Sequence, residues 1–306
     1  MAAEHRPVLV EEAVSELALG DATTVVDATF GGGGHTRRML EELSPGAEVI
    51  GVDRDPAAEA RASLLEDPRF KFVAGPYDEV LGQMGEAGKR VDAILFDLGL
   101  SSYQIDEPER GFSYVDPGPL DMRMDNTSGL SAAEYLNTVE LDELVWVLRE
   151  YGDLPRGQAR RVAREIRDRR PLVATGDLTE AVRGAVGWVE RGGNPAKRVF
   201  QAIRIRVNDE LESLSRALDA TERLLVPGGR LAIITFHSGE DRIVKHFISD
   251  RTGRCVCPPD LPVCACGART VFRKGPVLRP SEREIQENPR SASARLRVAE
   301  KVGEST

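Results

Sequence analysis

The chain has 306 residues, of which 41% are hydrophobic and 30% are charged, an ordinary balance for one large globular domain or two smaller ones. No apolar run reaches the roughly 18 residues of a membrane-spanning helix, and the first residues lack the pattern of a signal peptide, so we expect neither. The net charge of −9 is uneven: residues 1–150 carry 12 basic and 30 acidic side chains, whereas residues 151–306 carry 29 and 20. The basic half could contact phosphate, although solvated helix faces also explain such a charge distribution.

In chain order, a helix is predicted over Val10–Leu19, and the most informative stretch of the chain follows it. An apolar β-type run covers Thr24–Phe30, four glycines occupy positions 31–34, and a helical pattern leads into a second β-type run that ends on Asp53. Strand, glycine turn, helix, strand and acid form the first unit of a nucleotide-binding parallel sheet. The glycines let the backbone approach a ligand, and the carboxylate can accept hydrogen bonds from both ribose hydroxyls.

The residues of this stretch favour a methyl donor over a dinucleotide. Gly31 and Gly33 occupy the first two positions of the dinucleotide fingerprint, but Thr36 stands at the third, and Asp27 lies just before the turn. A carboxylate there would repel a pyrophosphate at the helix N-terminus. S-adenosylmethionine has no phosphate, and its ammonium, sulfonium and ribose suit acids on both strands. The alternatives are an NAD site and a glycine turn that binds nothing.

Two further strands are predicted before the sheet pattern stops. Phe70–Val73 precedes a loop that contains Tyr77, whose ring could lie on an adenine or simply cover the core. The run Val91–Asp97 ends in another acid, at the edge where open α/β sheets bind ligands. Asp97 is therefore a candidate site residue.

A helical insertion is predicted next, because a turn-rich loop over residues 106–125 is followed by helical patterns rather than strands. The run from Arg156 to Arg170 holds seven arginines and two acids, which indicates either a solvated helix face or an RNA contact. The predicted helices are Ser131–Leu136, Leu141–Tyr151, Gln158–Arg169 and Leu178–Val189.

Sheet-like sequence then resumes. A long helix is predicted from Asn194 towards Leu225, with a fifth strand over Arg230–Phe236. His237 and Ser238 follow that strand directly, so they are candidates for contact with a substrate. The last predicted strands are Arg269–Leu278 and Ala294–Val302.

The four cysteines, Cys255, Cys257, Cys264 and Cys266, form a C-x-C, six residues, C-x-C pattern. Four thiols so close together could hold a structural zinc ion, but C-x-C pairs are tighter than the usual C-x2-C pairs. Reduced cysteines in a β-hairpin and a disulfide are the alternatives, and a disulfide is disfavoured in the cytoplasm where we place the protein. We assign no metal ligands.

Motifs along nearly the whole chain resemble one family, the MraW family of bacterial ribosomal RNA small-subunit methyltransferases (methyltransferase H). The motifs are DATFGGGGHT, DLGLSS, GPLDMRMD, NPAKRVFQAIRIRVNDEL, ITFHSGEDRIVK and RPSEREIQENPRSASARLRVAEK. The resemblance implies an α/β class I S-adenosylmethionine-dependent methyltransferase, with a Rossmann-like doubly wound sheet and an inserted helical domain. It also implies methyl transfer to the exocyclic N4 of one cytidine in the decoding region of 16S ribosomal RNA. We expect this RNA to be bound within the small ribosomal subunit, and we expect no membrane or DNA partner.

Carried over to this sequence, the resemblance implies that seven residues contact S-adenosylmethionine: Gly33, Gly34, His35, Asp53, Tyr77, Asp97 and Gln104. Asp97 is also a hypothetical acceptor for the amine proton, and His237 and Ser238 could touch the base. The chain departs from the family pattern in three places: Tyr77 stands for a common phenylalanine, Gly32 for a frequent arginine and Gly239 for a leucine. We expect a methyltransferase domain over residues 1–105 and 199–306, with an RNA-recognising helical domain over 106–198.

Overall fold

The computed structural model describes residues 7–187, 194–253, 257 and 269–303. The chain divides into two compact units, one formed by Met1–Gly99 with Leu211–Thr306 and the other by Leu100–Glu210. The first unit contains a seven-stranded sheet, and the second is helical. No helix in the described ranges is long and apolar enough to cross a membrane.

The sheet is mixed. Its strands are β1 (Thr24–Asp27), β2 (Glu48–Asp53), β3 (Phe70–Ala74), β4 (Val91–Asp97), β5 (Leu225–Thr235), β6 (Phe272–Leu278) and β7 (Arg295–Lys301). Their spatial order is β3–β2–β1–β4–β5–β7–β6, in which the first five strands run parallel and β7 runs antiparallel to both of its neighbours. The predicted α/β sheet is thereby confirmed, including both of its last strands.

The helices, in chain order, are α1 (Val10–Leu17), α2 (Gly34–Glu42), α3 (Pro56–Ala62), α4 (Tyr77–Glu86), α5 (Ser102–Asp106), α6 (Ala132–Thr138), α7 (Leu141–Glu150), α8 (Arg156–Asp168), α9 (Thr175–Val186), α10 (Pro195–Asn208), α11 (Glu210–Leu224), α12 (Ser238–Asp250) and α13 (Glu282–Glu287). Short 3₁₀ turns cover Leu19–Asp21, Pro108–Arg110 and Pro289–Ser293. The helices predicted in the insertion are confirmed as α6 to α9, with shifted ends. The predicted end of the last one, Val189, lies outside the described residues.

The single long helix predicted from Asn194 towards Leu225 is wrong. Asp209 adopts a left-handed backbone conformation with φ of 53°, which ends α10 before α11 begins. An α-helix cannot continue through such a residue, and Asp is among the few types that tolerate the conformation. The preceding residue, Asn208, is buried, and its side chain donates to the Met122 carbonyl oxygen and accepts from the Met124 N–H.

The central strands are buried on both faces of the sheet. Successive residues of a strand point to opposite sides, so each strand contributes to two cores. In β4, Ile94 and Phe96 pack into one core, whereas Ala93 and Leu95 pack into the other. The helices α11 and α12 contribute to the first core, and α1 and α2 contribute to the second. With both faces covered in this way, polar groups that end the strands collect at the carboxyl edge of the sheet.

Within the second unit, α10 contacts α6, α7 and α9, and α8 contacts α6, α7 and α9. The buried side of α8 consists of small and branched residues: Ala159, Val162, Ala163 and Ile166. This unit begins at Leu100 and ends at Glu210, so its bounds differ from the expected 106–198. The physical reason is that α10 packs on other helices of the unit, and residue type alone does not reveal those contacts.

Candidate functional site

Three acids lie at the carboxyl ends of adjacent parallel strands. Asp27 ends β1, Asp53 ends β2 and Asp97 ends β4, and β1 pairs with both of the other strands. The chain proceeds outwards from β1 through β2 to β3 and then crosses to β4 on the other side of β1. The β1–β4 boundary is therefore a topological switch point, the place where open α/β sheets leave a crevice for ligands.

The glycine turn between β1 and α2 is closely packed. Gly33, with φ of 74°, adopts a conformation that side chains rarely allow, and an added Cβ would lie 2.7 Å from the ring of Phe30. A Cβ on Gly34 would lie 2.2 Å from Cγ of Pro7. The turn therefore requires residues without side chains, and the first backbone N–H groups of α2 have no partner within the helix.

Asp53 is tied to this turn. Its Oδ2 accepts a hydrogen bond from the Gly31 N–H at 2.7 Å, and its Oδ1 accepts one from the Asp55 N–H at 2.9 Å. Burial of the carboxyl group nevertheless raises its pKa, against the lowering effect of those two bonds. Each oxygen can accept further hydrogen bonds, so the group is restrained by the fold and still available to a hydroxyl.

Asp27 is fully buried. Its Oδ2 accepts a hydrogen bond from the Thr36 hydroxyl at 2.7 Å, and its Oδ1 accepts one from the Thr29 N–H at 3.2 Å. Burial raises the pKa of Asp27 from 3.8 to about 6 despite these bonds, and the neighbouring charge of Asp53 adds to the increase. Thr36, which departs from the dinucleotide fingerprint, thus has a structural role: it holds Asp27, the acid that would repel a pyrophosphate.

Asp97 is the most perturbed of the three acids. Burial raises its pKa well above 3.8, and the charges of Asp27 and Glu240 raise it further. Its backbone N–H donates to the Thr29 hydroxyl oxygen at 2.6 Å, whereas its Oδ1 atom is buried without a hydrogen-bond partner in the described part of the chain. An unpartnered carboxyl oxygen at a ligand-binding edge is positioned to receive a donor from a bound molecule.

His35 is buried beside Asp97, with its Nδ1 atom 3.6 Å from Asp97 Oδ2. Its Nε2 atom lies 3.1 Å from the carbonyl oxygen of Val8, which can only accept, so Nε2 carries the proton in the neutral ring. The neutral ring therefore presents a lone pair towards Asp97. The side chain of His35 thus contacts other residues of the fold, and contact with a ligand remains a prediction.

Tyr77 is the first residue of α4 and not part of a loop as predicted; Gly75 and Pro76 separate it from the end of β3, and its side chain is partly buried. The ring packs edge to face on Phe96, with 5.6 Å between the centroids. Phe96 precedes Asp97 in β4, so the tyrosine lies over the strand that carries the most perturbed acid. Packing on the core is thus established, and contact with an adenine remains a prediction.

His237 and Ser238 begin α12 at the end of β5. The Glu240 N–H donates to His237 Nδ1 at 3.4 Å, and Glu240 Oε2 accepts from the N–H groups of Phe236 and His237 at 2.7 and 3.2 Å. Ser238 is exposed. Glu240 is buried and acts on the Asp97 pKa, yet sequence reasoning did not select it; an acid three residues after a helix cap was the available signal.

Gln104 and the four cysteines, the other residues singled out in the sequence, are not among the described residues at the carboxyl edge of the sheet in the first unit. Gln104 belongs to the second unit, where it is buried and forms a reciprocal capping box with Ser101 at the start of α5. Cys255, Cys264 and Cys266 lie outside the described residues, and Cys257 is partly exposed. The structure therefore leaves the zinc hypothesis as a prediction.

A model of the MraW methylase family matches residues 2–302. The chain belongs to the MraW methylase family. It is 68% identical over 304 residues to ribosomal RNA small subunit methyltransferase H of Rubrobacter xylanophilus, covering 99% of this chain and 97% of that protein. It is also 49% identical over 308 residues to the protein of the same name from Thioalkalivibrio sulfidiphilus, covering 97% of each. The member from Heliobacterium modesticaldum is 44% identical over 320 residues, covering 99% of this chain and 100% of that protein.

This MraW family member is a methyltransferase with the class I α/β fold, and the cofactor implied by its family and fold is S-adenosylmethionine. The residues at the strand ends fit that cofactor chemically. Burial disfavours the ionised forms of these carboxyl groups, and a bound cation would stabilise them. Asp53 could also accept hydrogen bonds from a ribose. The same acids disfavour a pyrophosphate, so the preference for a methyl donor over NAD is confirmed at the level of cofactor class.

Proposed function

We propose that this protein transfers a methyl group to the exocyclic N4 of a cytidine in the decoding region of 16S ribosomal RNA, in the cytoplasm and within the small ribosomal subunit. The observation that carries the proposal is the 68% identity to a ribosomal RNA small subunit methyltransferase H along almost the full length of both chains. The motifs that support it extend from the glycine turn to the final strand.

The proposed cofactor contacts follow from the strand ends. Asp53 accepts the ribose hydroxyls, since both of its oxygens retain acceptor capacity. Gly33, Gly34 and His35 contribute the backbone of the turn and of the first turn of α2, and Tyr77 contributes its ring. Asp97 and Gln104 complete the proposed set of cofactor contacts. S-adenosylmethionine supplies the electrophilic methyl group when it is bound.

The proposed role of Asp97 follows from the weakness of the nucleophile. The lone pair of an exocyclic cytosine amine is delocalised into the ring, so the enzyme has to place the nitrogen and accept hydrogen bonds from its protons. Asp97 Oδ1 is a buried acceptor without a described partner, and a raised pKa makes the carboxylate a better proton acceptor. Asp97 therefore holds the amine and accepts its proton, or a hydrogen bond from it, during transfer.

The proposed substrate contacts come from two parts of the chain. His237 and Ser238 follow the fifth strand and touch the target base. Moving a base into a pocket costs less free energy when the base is single-stranded or unpaired. The helical unit recognises RNA through α8, whose exposed side carries Arg160, Arg161 and Arg164. None of these three arginines is ion-paired with another described residue.

Mass-spectrometric mapping of small-subunit ribosomal RNA after incubation with the purified protein and S-adenosylmethionine tests the proposal. We expect one added methyl group on the N4 nitrogen of a decoding-region cytidine, and far slower addition with Asp97→Ala. Methylation of another nucleotide or atom would refute the finer assignment while leaving the methyltransferase class intact. RNA binding without any methyl incorporation would indicate an assembly factor instead.

A further inference from the structure

A cleft of about 220 Å³ lies between α12 and the last two strands of the sheet. One wall comes from α12 and the residues after it, including Lys245, and the other comes from β6 and β7, including Lys274 and Arg297. All of its lining residues belong to the first compact unit. The three acids at the carboxyl edge of the sheet do not line this cleft, so it is separate from the candidate active site.

The charge of the cleft is positive. No Asp or Glu is found among the described residues that line it. Lys245 and Lys274 are exposed, and neither is ion-paired with any residue in the described ranges. Two like charges that come from different elements and share one cleft repel each other, and an anion bound between them would relieve that repulsion.

Arg297 is held in a fixed orientation on the floor of the cleft. Its Nε donates to Asp241 Oδ1 at 2.8 Å, and its Nη2 donates to Asp241 Oδ2 at 3.1 Å. Nη1 takes no part in this pair and retains its donor capacity. A guanidinium restrained in this way loses little conformational entropy when it contacts an anion.

The shape of the cleft depends on an irregularity in β6. The register of β6 against β7 shifts between Lys274 and Val277, so that Gly275 and Pro276 leave the ladder. An added Cβ on Gly275 would lie 3.0 Å from Val298, which means that glycine permits this close approach. The bulge places Lys274 and the exposed Val277 on the rim of the same opening.

The lining residues distinguish between ligand classes. Pockets for drug-sized molecules measure about 300–1,000 Å³, so this cleft suits a smaller group. No aromatic residue contributes to its described lining, which disfavours stacking on a base. Two ammonium groups, one guanidinium and the hydroxyl of Ser249 are donors, whereas the Thr252 hydroxyl already donates to the Ser249 carbonyl oxygen at 2.8 Å. Donors of this kind match a phosphate.

Two structural explanations for the lysines make different predictions. Cations near a helix C-terminus offset the helix dipole, but the effect is confined to the last turn, and the last turn of α12 contains no basic residue. Lysines also protect edge strands from pairing with other molecules, and β6 is an edge strand. That second explanation applies to Lys274 alone and predicts no effect on RNA.

We propose that the cleft formed by Lys245, Lys274 and Arg297 binds a backbone phosphate of the ribosomal RNA substrate. The inference rests on the proposed function, since it assigns part of the RNA contact to the sheet-containing unit. A single phosphate contact positions the RNA without reading its sequence. The ligand is RNA, because the opening is small enough for a phosphate and lined with donors. Binding of an acidic peptide instead would overturn the proposal.

The test measures binding of an in vitro transcript of small-subunit ribosomal RNA to the full-length protein as a function of salt concentration. Lys245→Ala with Lys274→Ala should weaken binding roughly 3- to 10-fold near physiological salt and lower the slope of log Kd against log salt concentration by about 1 to 2. Lys245→Arg with Lys274→Arg should retain the affinity, because either cation can contact a phosphate. S-adenosylmethionine affinity and Tm should stay the same in both variants.

The matched control is Lys71→Ala with Lys89→Ala, which removes the same charge near the other end of the sheet, where both lysines pair with Glu48. This control should keep the wild-type slope. An unchanged slope in the cleft variant, with a wild-type protein that binds and methylates the transcript, overturns the cleft assignment alone. A wild-type protein that neither binds nor methylates the transcript overturns the proposed function and, with it, the cleft assignment. Increased self-association of Lys274→Ala with unchanged RNA binding would favour edge protection and also overturn the assignment.

Discussion

The acids at the carboxyl edge of the sheet and the capping acids of the helical unit have pKa values that are shifted in opposite directions. At the carboxyl edge of the sheet, burial raises the pKa values of Asp27, Asp53 and Asp97. In the helical unit, the N–H groups of Ala174 and Val173 lower the pKa of Asp177, and the Ser131 N–H lowers that of Glu134. The sheet edge therefore resists ionisation of its acids, whereas the helical unit favours it.

The difference teaches how to separate a structural acid from a functional one. Asp121 shows the structural case, because burial opposes ionisation but hydrogen bonds from Arg123 outweigh that effect and lower the pKa. Asp97 has no such cation in its described surroundings, and its Oδ1 has no described partner. A carboxyl group that the fold desolvates without providing a counter-charge is poised for a ligand that provides one.

The largest expected effect is on turnover. Asp97→Ala should lower the single-turnover methylation rate at saturating cofactor by about 10²–10⁴-fold, because the amine loses its acceptor. The matched control is Asp92→Ala at the opposite end of β4, where the carboxylate accepts bonds from Thr23 and Thr24. It should keep the rate. A wild-type rate in folded Asp97→Ala would eliminate the acceptor role.

The second prediction concerns the pH dependence of stability. The folded state holds the Asp27 proton more tightly than the unfolded state, so stability falls as pH rises from about 4 to about 6 and then levels off. The shift corresponds to roughly 3 kcal/mol. Asn cannot titrate, so Asp27→Asn should not lose this stability. The difference in free energy of unfolding, Asp27→Asn minus wild type, should therefore increase by up to this amount between about pH 4 and about pH 6. Urea titrations at several pH values measure it, and a constant difference would contradict the raised pKa.

The third prediction concerns the cofactor. Asp53→Ala should weaken S-adenosylmethionine binding by about 1.5–3 kcal/mol, the scale of a lost hydrogen bond to a charged group. Isothermal titration calorimetry measures the change. Asp67→Ala removes an acid that is paired with Arg69 instead, and it should leave the affinity unaltered. Equal affinities in the Asp53 variant and wild type would remove Asp53 from the site.

The fourth prediction turns to the helical unit. Replacing Arg160, Arg161 and Arg164 with alanine should weaken RNA binding roughly 10-fold and lower the salt slope by about 2 to 3, because fewer counterions are released. Cofactor affinity should not change. An unaltered salt slope would show that this side of α8 is only a solvated surface.

The smallest expected effect tests a structural acid. Asp177 Oδ2 accepts hydrogen bonds from the N–H groups of Val173 and Ala174, both at 2.8 Å, so Asp177→Ala should cost about 1 kcal/mol of stability. The pKa of Asp177 is lowered in the folded state, so this contribution is present above the unfolded pKa and is lost as pH falls. The direction is opposite to that of Asp27. Methylation by the variant should match wild type after correction for the folded fraction.

The sequence by itself determined the local elements and the strand-end acids. Short apolar runs marked the strands, and the four glycines marked the turn. Asp53 and Asp97 could be recognised because each ends such a run, whereas Asp27 stands inside the first run, just before the glycines. The motifs of the MraW family supplied the fold class and the cofactor. These features are readable because each depends on residues that are neighbours in the chain.

Only the tertiary structure decided which of these groups meet and how they ionise. It brought Asp97 within 3.6 Å of His35 and placed the charge of buried Glu240 where it raises the Asp97 pKa. It also broke the predicted long helix at Asp209. Burial and ion pairing depend on contacts between residues far apart in the chain, and a pKa responds to the total of those contacts rather than to residue type. The acids could therefore be listed from the sequence, whereas their protonation required the folded sheet.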